Sequence, residues 1–362
     1  MIVFVHLLND YSGSPRVLKE TIKAVVGRQE KAKLYIGSSG NGLLSDCGIP
    51  ITRFWYHRPG YRFVTLFTYF SSQFMLFFKL LFDRTIDRDA VLYINTLLPF
   101  GAALYGKLTG RKIIYHLHEI SITPAPLKSL LTAIVRRTSA LNIYVSDAHM
   151  DALKITGVPA QRVHNTLDVD IVARASTSVY QHHNNGCFNV LMIASLRDYK
   201  GVPELLAIAT ALLFHDNIRF QLLVNDDEAI VANYFQDRRQ PGNLTVYPRT
   251  ADVMPFYEKA SLVLNLSRID QWVETFGMTI LEAMAFGLPV IAPPVGGPTE
   301  IVRDGLDGYL ISSYEVERIA RTILNLSKDK EKCQSLSQHA RQRTKDFNKK
   351  QFETNILKAI YG

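Results

Sequence analysis

Residues 261–311 read SLVLNLSRIDQWVETFGMTILEAMAFGLPVIAPPVGGPTEIVRDGLDGYLI. The Val/Leu block at 261–266 is short enough to be a buried parallel strand, and the block at 288–292 repeats it. Between them, Ile280, Leu281, Ala283 and Met284 recur with helical spacing. Strand, helix and strand make a βαβ rhythm, and the rest of the chain repeats it. Toward the N-terminus, strand blocks fall at 188–195, 218–225 and 243–247, and in the first half at 2–8, 33–37, 90–95, 111–117 and 141–146. The expected class is α/β, with two doubly wound, Rossmann-like domains facing a central cleft. In such sheets ligands bind outside the carboxyl ends of the strands. The polar, turn-rich STSVYQHHNNG at 176–186 is the expected linker, which sets domains at 1–175 and 186–345. A C-terminal helix over 346–362 is expected to return to the first domain.

At about 150 residues per domain, 362 residues fit two cores. With 47% apolar and 20% charged residues the chain has a globular balance, and no low-complexity stretch or internal repeat interrupts it. Cys47, Cys187 and Cys333 lie far apart, so neither a metal pair nor a disulfide framework is suggested. The opening MIVFVHLLND lacks the basic lead and cleavage site of a signal peptide and reads as a strand; a reducing cytoplasm fits. Net charge is +8, and all of it sits in residues 1–170, with 20 Lys and Arg against 12 Asp and Glu; residues 171–362 balance at 21 against 21. That asymmetry points to an anionic partner for the first half: nucleic acid, a membrane surface or a phosphorylated substrate. No nucleic-acid-binding signature accompanies it, so nucleic acid ranks last.

Two carboxylates stand out in the opening stretch, Glu274 and Glu282, eight residues apart. Glu282 falls inside the helical run, where its neighbours at three and four positions are Met278, Thr279, Ala285 and Phe286. No base lies within local reach, so this carboxylate needs hydrogen-bond donors from elsewhere, and ribose hydroxyls would serve. Glu274 precedes the helix and can accept from sugar hydroxyls. Between them, Thr275 to Met278 would form a helix start whose free amides and dipole favour a diphosphate.

The stretch resembles the E-x7-E signature of the retaining glycosyltransferases of family 4, which have the GT-B fold, and GLPVIAPPVGGPTEIV resembles the same family's next strand and glycine loop. The resemblance implies a nucleotide-sugar donor held by the second domain, an acceptor met by the first, and hexosyl transfer with retention of anomeric configuration. It implies donor contacts at Phe276, Gly277, Met278, Thr279 and Glu282, and a catalytic place for Glu274. In ASLRDYKGVPELL, Lys200 and Gly201 match the family's Lys-Gly, and Lys200 would neutralise the departing diphosphate. The family's preceding Gly-Arg is here Ala194-Ser195, which leaves Ser195 and Arg197 as the candidate donor contacts there. DYSGSPRVLKE resembles the family's first glycine loop, with Gly13 beside the donor phosphates. In IIYHLHEIS, His118 matches the histidine that family members place beside the donor sugar. RVHNTLD at 162–168 resembles the segment that closes the family's first domain.

Other features resolve otherwise. His116 and His118 have the spacing of two zinc ligands but no evident third, so His116 reads as structural and no metal or other cofactor is expected. Asp87-Arg88-Asp89 precedes its strand and reads as a turn; Asp226-Asp227-Glu228 reads as an acidic helix start. In 62–83, Arg62, Thr65, Thr68, Ser72, Lys79 and Asp83 mark a polar stripe on an apolar helix, which disfavours a membrane span. Packing on the sheet and lying on an anionic bilayer interface both remain open, as does a surface for a lipid-linked acceptor. The expected activity is transfer from a UDP-, GDP- or ADP-sugar to a glycan or lipid-linked acceptor. The setting is bacterial cell-surface polysaccharide, lipopolysaccharide or glycolipid assembly, in the cytoplasm or at the inner face of the plasma membrane. An epimerase or glycosyl phosphorylase on the same scaffold is the alternative.

Overall fold

The computed structural model describes residues 1–38, 40 and 42–362, and the chain divides into two compact units, Met1–Thr166 with Lys349–Gly362, and Leu167–Asn348. Each is an α/β unit around one parallel sheet.

In the first unit the strands are β1 (Ile2–His6), β2 (Ala32–Gly37), β3 (Ile51–Phe54), β4 (Val91–Asn95), β5 (Ile113–Leu117), β6 (Leu141–Tyr144) and β7 (Ala160–Arg162). Their order is β3-β2-β1-β4-β5-β6-β7, so the winding reverses between β1 and β4. Alternation along β1 sends Val3 and Val5 to one face, under the helices Arg62–Phe82, Phe100–Leu108 and Ala125–Thr138. Ile2 and Phe4 go to the other, under the helices Gly13–Val26 and Lys349–Tyr361, where Phe352, Ile356 and Ile360 complete the core.

In the second unit β8 (Phe188–Ala194), β9 (Ile218–Val224), β10 (Leu244–Tyr247), β11 (Leu262–Leu264), β12 (Val290–Ala292) and β13 (Gly308–Leu310) form a sheet of order β10-β9-β8-β11-β12-β13. Its reversal lies between β8 and β11. Val190 and Met192 pack with Val202, Leu205 and Ile208 of the helix Val202–Ala211, and with Ile319 and Ile323 of the helix Val316–Lys328.

Several sequence expectations change. Strands β3, β7 and β13 carry too few apolar residues in a row to register as strand blocks, and the pairing of their neighbours draws them in. The first unit ends at Thr166, not 175, because the helix Val169–Thr177 belongs with the second. The segment 176–186 is no linker either. Tyr180 donates to the Ser261 carbonyl at 3.1 Å, His182 is buried and bonded to the Leu326 carbonyl at 2.8 Å, and Arg341 donates to the carbonyls of Ala175 and Ser178. Tyr180 and His182 thus serve backbone groups of the second unit, while Ser176, Thr177, Gln181 and Asn185 face solvent. The helix Arg62–Phe82 is turned the unexpected way: Thr68 and Ser72 of its polar stripe are buried, while Phe63, Phe67, Phe74, Phe78 and Phe82 face outward.

Candidate functional site

In both units, chemistry-bearing side chains gather where the winding of the sheet reverses, beyond the carboxyl ends of the strands. In the second unit, β8 leads through Ser195 and Arg197 into a single turn, Asp198–Lys200, closed by Gly201. Gly201 has φ +85°, and a Cβ there would lie 2.1 Å from the Leu266 carbonyl oxygen beyond β11. Only glycine permits that approach, which sets the Lys200 turn against the loop after β11. That loop is fastened in return: the Arg268 amide donates to the Tyr199 carbonyl at 2.9 Å, and its guanidinium to Glu204 at 2.8 Å.

Lys200 and Glu274 meet there. The Lys200 Nζ donates to Glu274 Oε1 at 2.5 Å, and the Ser267 hydroxyl donates to the same oxygen at 2.9 Å. The ammonium also sits 4.6 Å from the centre of the Trp272 ring, which stacks on Tyr199. Burial alone would raise the Glu274 carboxyl; the Lys200 charge and the bonds from Lys200 and Ser267 outweigh it and hold the group below the usual range. Glu274 therefore stays ionised, paired with a cation that an incoming phosphate would also attract.

The following turn is held by glycines. A Cβ on Gly297 would lie 2.3 Å from the Phe276 Cα, and the Gly297 amide donates to the Glu274 carbonyl at 2.8 Å. Phe276 is buried, so this position can offer a ligand its backbone and not its ring. Gly277, with φ +107°, turns the chain into the helix Met278–Ala285, where Met278 and Thr279 are half-buried. Glu282 is buried on that helix, and Tyr257 donates to its Oε2 at 2.9 Å. A phenol from the helix Met254–Lys259 thus supplies a donor that the local sequence around Glu282 lacks. Arg197 is exposed and bonds the carbonyl of Leu196. Ser195 is half-buried, and its carbonyl accepts from the Arg197 amide.

In the first unit, Gly13 opens the helix after β1. His6 ends β1, Asn95 ends β4, His116 is the last residue but one of β5 and His118 lies just beyond it. Asn95 links them: its side-chain Oδ1 accepts from His118 Nε2 at 2.9 Å, and its backbone carbonyl lies 3.2 Å from His6 Nδ1. His116 bonds the Tyr93 hydroxyl at 2.7 Å and lies ring to ring with His118 at 4.4 Å. Thr96, the next residue after β4, has φ +77°, a strained conformation for a β-branched residue. Glu119 steadies it by accepting from the amides of Leu97 and His118 at 3.2 and 3.3 Å.

Burial dominates the electrostatics here. It pushes the imidazoles of His6, His116 and His149 down to about 4, 3 and 4, and lowers His118 well below the ordinary range, helped by the neighbouring imidazoles. It lifts the Glu119 carboxyl to about 7 against the amide bonds that favour ionisation. Asp87 to Asp89 lie in a turn and Asp226 accepts from the Leu196 amide. Among the described residues no group of three His, Cys, Asp or Glu is arranged to hold a metal.

The sequence reading placed Lys200, Glu274, Glu282 and His118 but missed their immediate partners, Trp272, Ser267, Tyr257 and Asn95. Asn95 carried a usable signal, a polar residue closing the buried strand VLYIN; Ser267 and Trp272 lie in the same stretch as Glu274 but carry no motif, and Tyr257 comes from a separate helix.

Residues 180–343 match the family model for glycosyl transferases group 1, which covers most of the second unit. A D-inositol 3-phosphate glycosyltransferase of Salinispora arenicola is 34% identical over 115 residues, 32% of this chain and 25% of that protein. A probable sucrose-phosphate synthase of Beta vulgaris is 37% identical over 94 residues, 24% of this chain and 9% of that protein. The matched part therefore spans a quarter or less of these relatives. Among solved structures, Anabaena HepE in complex with UDP-glucose superposes with a TM-score of 0.78 at 20% identity, over 99% of this chain and 98% of that one. A sucrose-phosphate synthase from Thermosynechococcus elongatus gives 0.77 at 15% identity, over 99% and 97%. The fold is GT-B, and the second unit carries a group 1 glycosyl transferase domain.

Proposed function

We propose that this chain transfers a sugar from a nucleotide-sugar to an acceptor hydroxyl with retention of anomeric configuration, as a family 4 enzyme of bacterial cell-surface glycan or glycolipid assembly. The observation that carries this reading is the Lys200–Glu274 pair at the reversal of the second sheet, beside the amides that open the helix Met278–Ala285. The family match over that same unit supports it, as do the relatives' names and the UDP-glucose bound by HepE.

In the reaction, the bond from the anomeric carbon to the diphosphate breaks while the acceptor oxygen bonds that carbon from the same face. The acceptor proton passes to the departing phosphate oxygen. Negative charge grows on that phosphate. Lys200 and the amides at Phe276 to Met278 meet it, and donors aimed at developing charge act most strongly in a dry, preorganised site. Glu274 holds Lys200 in place and accepts from sugar hydroxyls. Glu282 accepts from the ribose, with Tyr257 fixing its carboxylate, and Ser195 and Arg197 line the approach of the donor. The first unit takes the acceptor, and within it Gly13 and His118 keep the roles that the family resemblance gives them. This scheme uses no metal.

The test offers purified protein a panel of UDP-, GDP- and ADP-sugars with a lipid-linked acceptor extract, with and without EDTA. The expected product, by NMR, keeps the donor's configuration and forms equally with the chelator present. An inverted linkage rejects family 4. Phosphate-dependent glycan cleavage without nucleotide marks a phosphorylase instead.

A further inference from the structure

We propose that the outer surface of three neighbouring helices in the first unit, Arg62–Phe82, Phe100–Leu108 and Ala125–Thr138, is a docking face for an anionic bilayer. Arg62–Phe82 is the centre of the argument because it buries polar side chains beside Tyr69, Leu76 and Leu80 while exposing a row of phenylalanines. Thr68, Ser72 and Gln73 face the protein, where Thr68 donates to the His57 carbonyl at 2.6 Å and Gln73 accepts from the Gly101 amide at 3.2 Å. Phe63 is 89% exposed, Phe67 72%, Phe74 64% and Phe82 74%, and Phe78 stacks on Phe82. These positions recur at four and seven residues, so they form one stripe along a helix about 30 Å long. Met75, Phe78 and Phe82 also line, with Lys79 and Asp83, a depression of about 500 Å³. A water-facing helix normally shows the opposite arrangement, and a continuous exposed apolar surface of this kind marks a binding surface.

Charge selects the occupant. The three helices contain no Asp or Glu, but they carry Arg62, Lys79, Lys107, Lys128, Arg136 and Arg137. Asp83, Asp87 and Asp89 lie in the turn beyond the first helix, where Asp83 is tied to Lys33 and Tyr35. The two helices on the opposite face of the sheet do carry acids, Glu20 and Glu353. The basic excess of the first half thus accompanies an acid-free, apolar helical layer. Phenylalanines flanked by Lys and Arg, with no acid on the same helices, match the interface of a bilayer rich in anionic headgroups. Although Arg62–Phe82 is long and apolar enough to cross a membrane, its buried polar contacts with the domain fix it as a helix lying in the interface.

The test is sedimentation of the full chain with vesicles of phosphatidylcholine alone and of equal parts phosphatidylcholine and phosphatidylglycerol. Strong, salt-sensitive binding to the mixed vesicles and weak binding to the neutral ones is expected. The Phe67→Ser, Phe74→Ser double variant alters exposed positions, so it should melt as wild type does, yet bind the mixed vesicles about tenfold more weakly or worse. Lys107→Glu should weaken binding about fivefold or more. Equal binding to both vesicles, no binding, or variants that bind like wild type would overturn the proposal. So would self-association, abolished by the serine variant, in a protein that ignores vesicles, since the face would then belong to a second copy. None of these readouts depends on transferase activity.

Discussion

The two sheet reversals solve the burial of polar chemistry in opposite ways. Beyond β8 and β11, charges are at least half-buried in pairs: Lys200 with Glu274, Arg268 with Glu204. Beyond β1, β4 and β5, the site is filled by imidazoles held neutral, bonded to Asn95, Tyr93 and backbone, while the neighbouring Glu119 carboxyl accepts from backbone amides. Among the described residues, nothing bonds Nε2 of His6, Nε2 of His116 or Nδ1 of His149. A paired charge offers a fixed field to a ligand that develops charge, whereas a neutral imidazole offers a donor or acceptor to hydroxyls. In the proposed reaction the first would meet the departing diphosphate and the second a sugar.

Acid is expected to separate the two most strongly. Each imidazole lowered by burial has an unfolded value near 6.5, so unfolding takes up protons as pH falls, and stability is lost between about 6.5 and 4. Glu119 acts the other way: its native value near 7 exceeds the unfolded one, so acidification from 7 toward 4.5 favours its folded form. Three imidazoles, with His118 shifted in the same direction, outweigh one carboxyl, at about 1.4 kcal/mol per pH unit for each net proton. Glu274, held low, gives up its contribution only below about 4.5. Hydrogen exchange along a pH series should show the first unit opening before the second by several kcal/mol. Simultaneous opening would erase the contrast.

Lys200→Ala probes the charged site directly. Loss of a preorganised contact to the leaving group should raise the barrier by about 3–4 kcal/mol, a fall of hundreds-fold in kcat. Affinity for free nucleoside, which has no phosphate, should stay near wild type by calorimetry. Equal losses in both would mean that Lys200 supports the loop through Glu274 rather than the reaction. Gly297→Ala should cost about 1–3 kcal/mol of stability, because the added Cβ meets the Phe276 backbone and cannot be accommodated by a side-chain shift. An unchanged Tm would show that the loop carrying Glu274 is looser than the close approach implies.

The contrast was only half legible beforehand. Buried parallel strands announce themselves as short Val/Leu/Ile runs, so both sheets and the ends of their main strands could be read off. Lys200, Glu274 and His118 could be placed at those ends through motif resemblance. Pairing could not: Lys200 and Glu274 looked like two separate ligand contacts because they lie far apart along the chain and meet only through the glycine-permitted approach of Gly201 to Leu266. Segment 176–186 looked like a linker because composition cannot distinguish polar groups that face water from those that bond backbone. On helix Arg62–Phe82 the stripe was visible, but which side faced the sheet depended on carbonyl partners such as that of His57, remote from the helical pattern.

Glu282 gives the smallest and most discriminating effect. Its buried carboxylate accepts from Tyr257, whose ring stacks on Phe286 at 5.3 Å. Tyr257→Phe keeps the stacking and removes the donor, so a bond to a charged group worth about 1.5–3 kcal/mol is lost, less whatever other donors recover. Glu282→Gln keeps the shape and removes the charge. If the two side chains act as a unit, the double variant should lose less stability than the single losses combined, a coupling of about 0.5–3 kcal/mol. Stability alone cannot separate a structural carboxylate from a ribose acceptor, but nucleoside binding can. A ribose role requires Glu282→Ala to weaken nucleoside about tenfold to a hundredfold, while Tyr257→Phe, which leaves the acceptor oxygens in place, weakens it far less. Should Glu282→Ala melt earlier yet bind nucleoside as wild type does, the carboxylate serves the helix and the phenol only, and the donor's ribose must be recognised elsewhere.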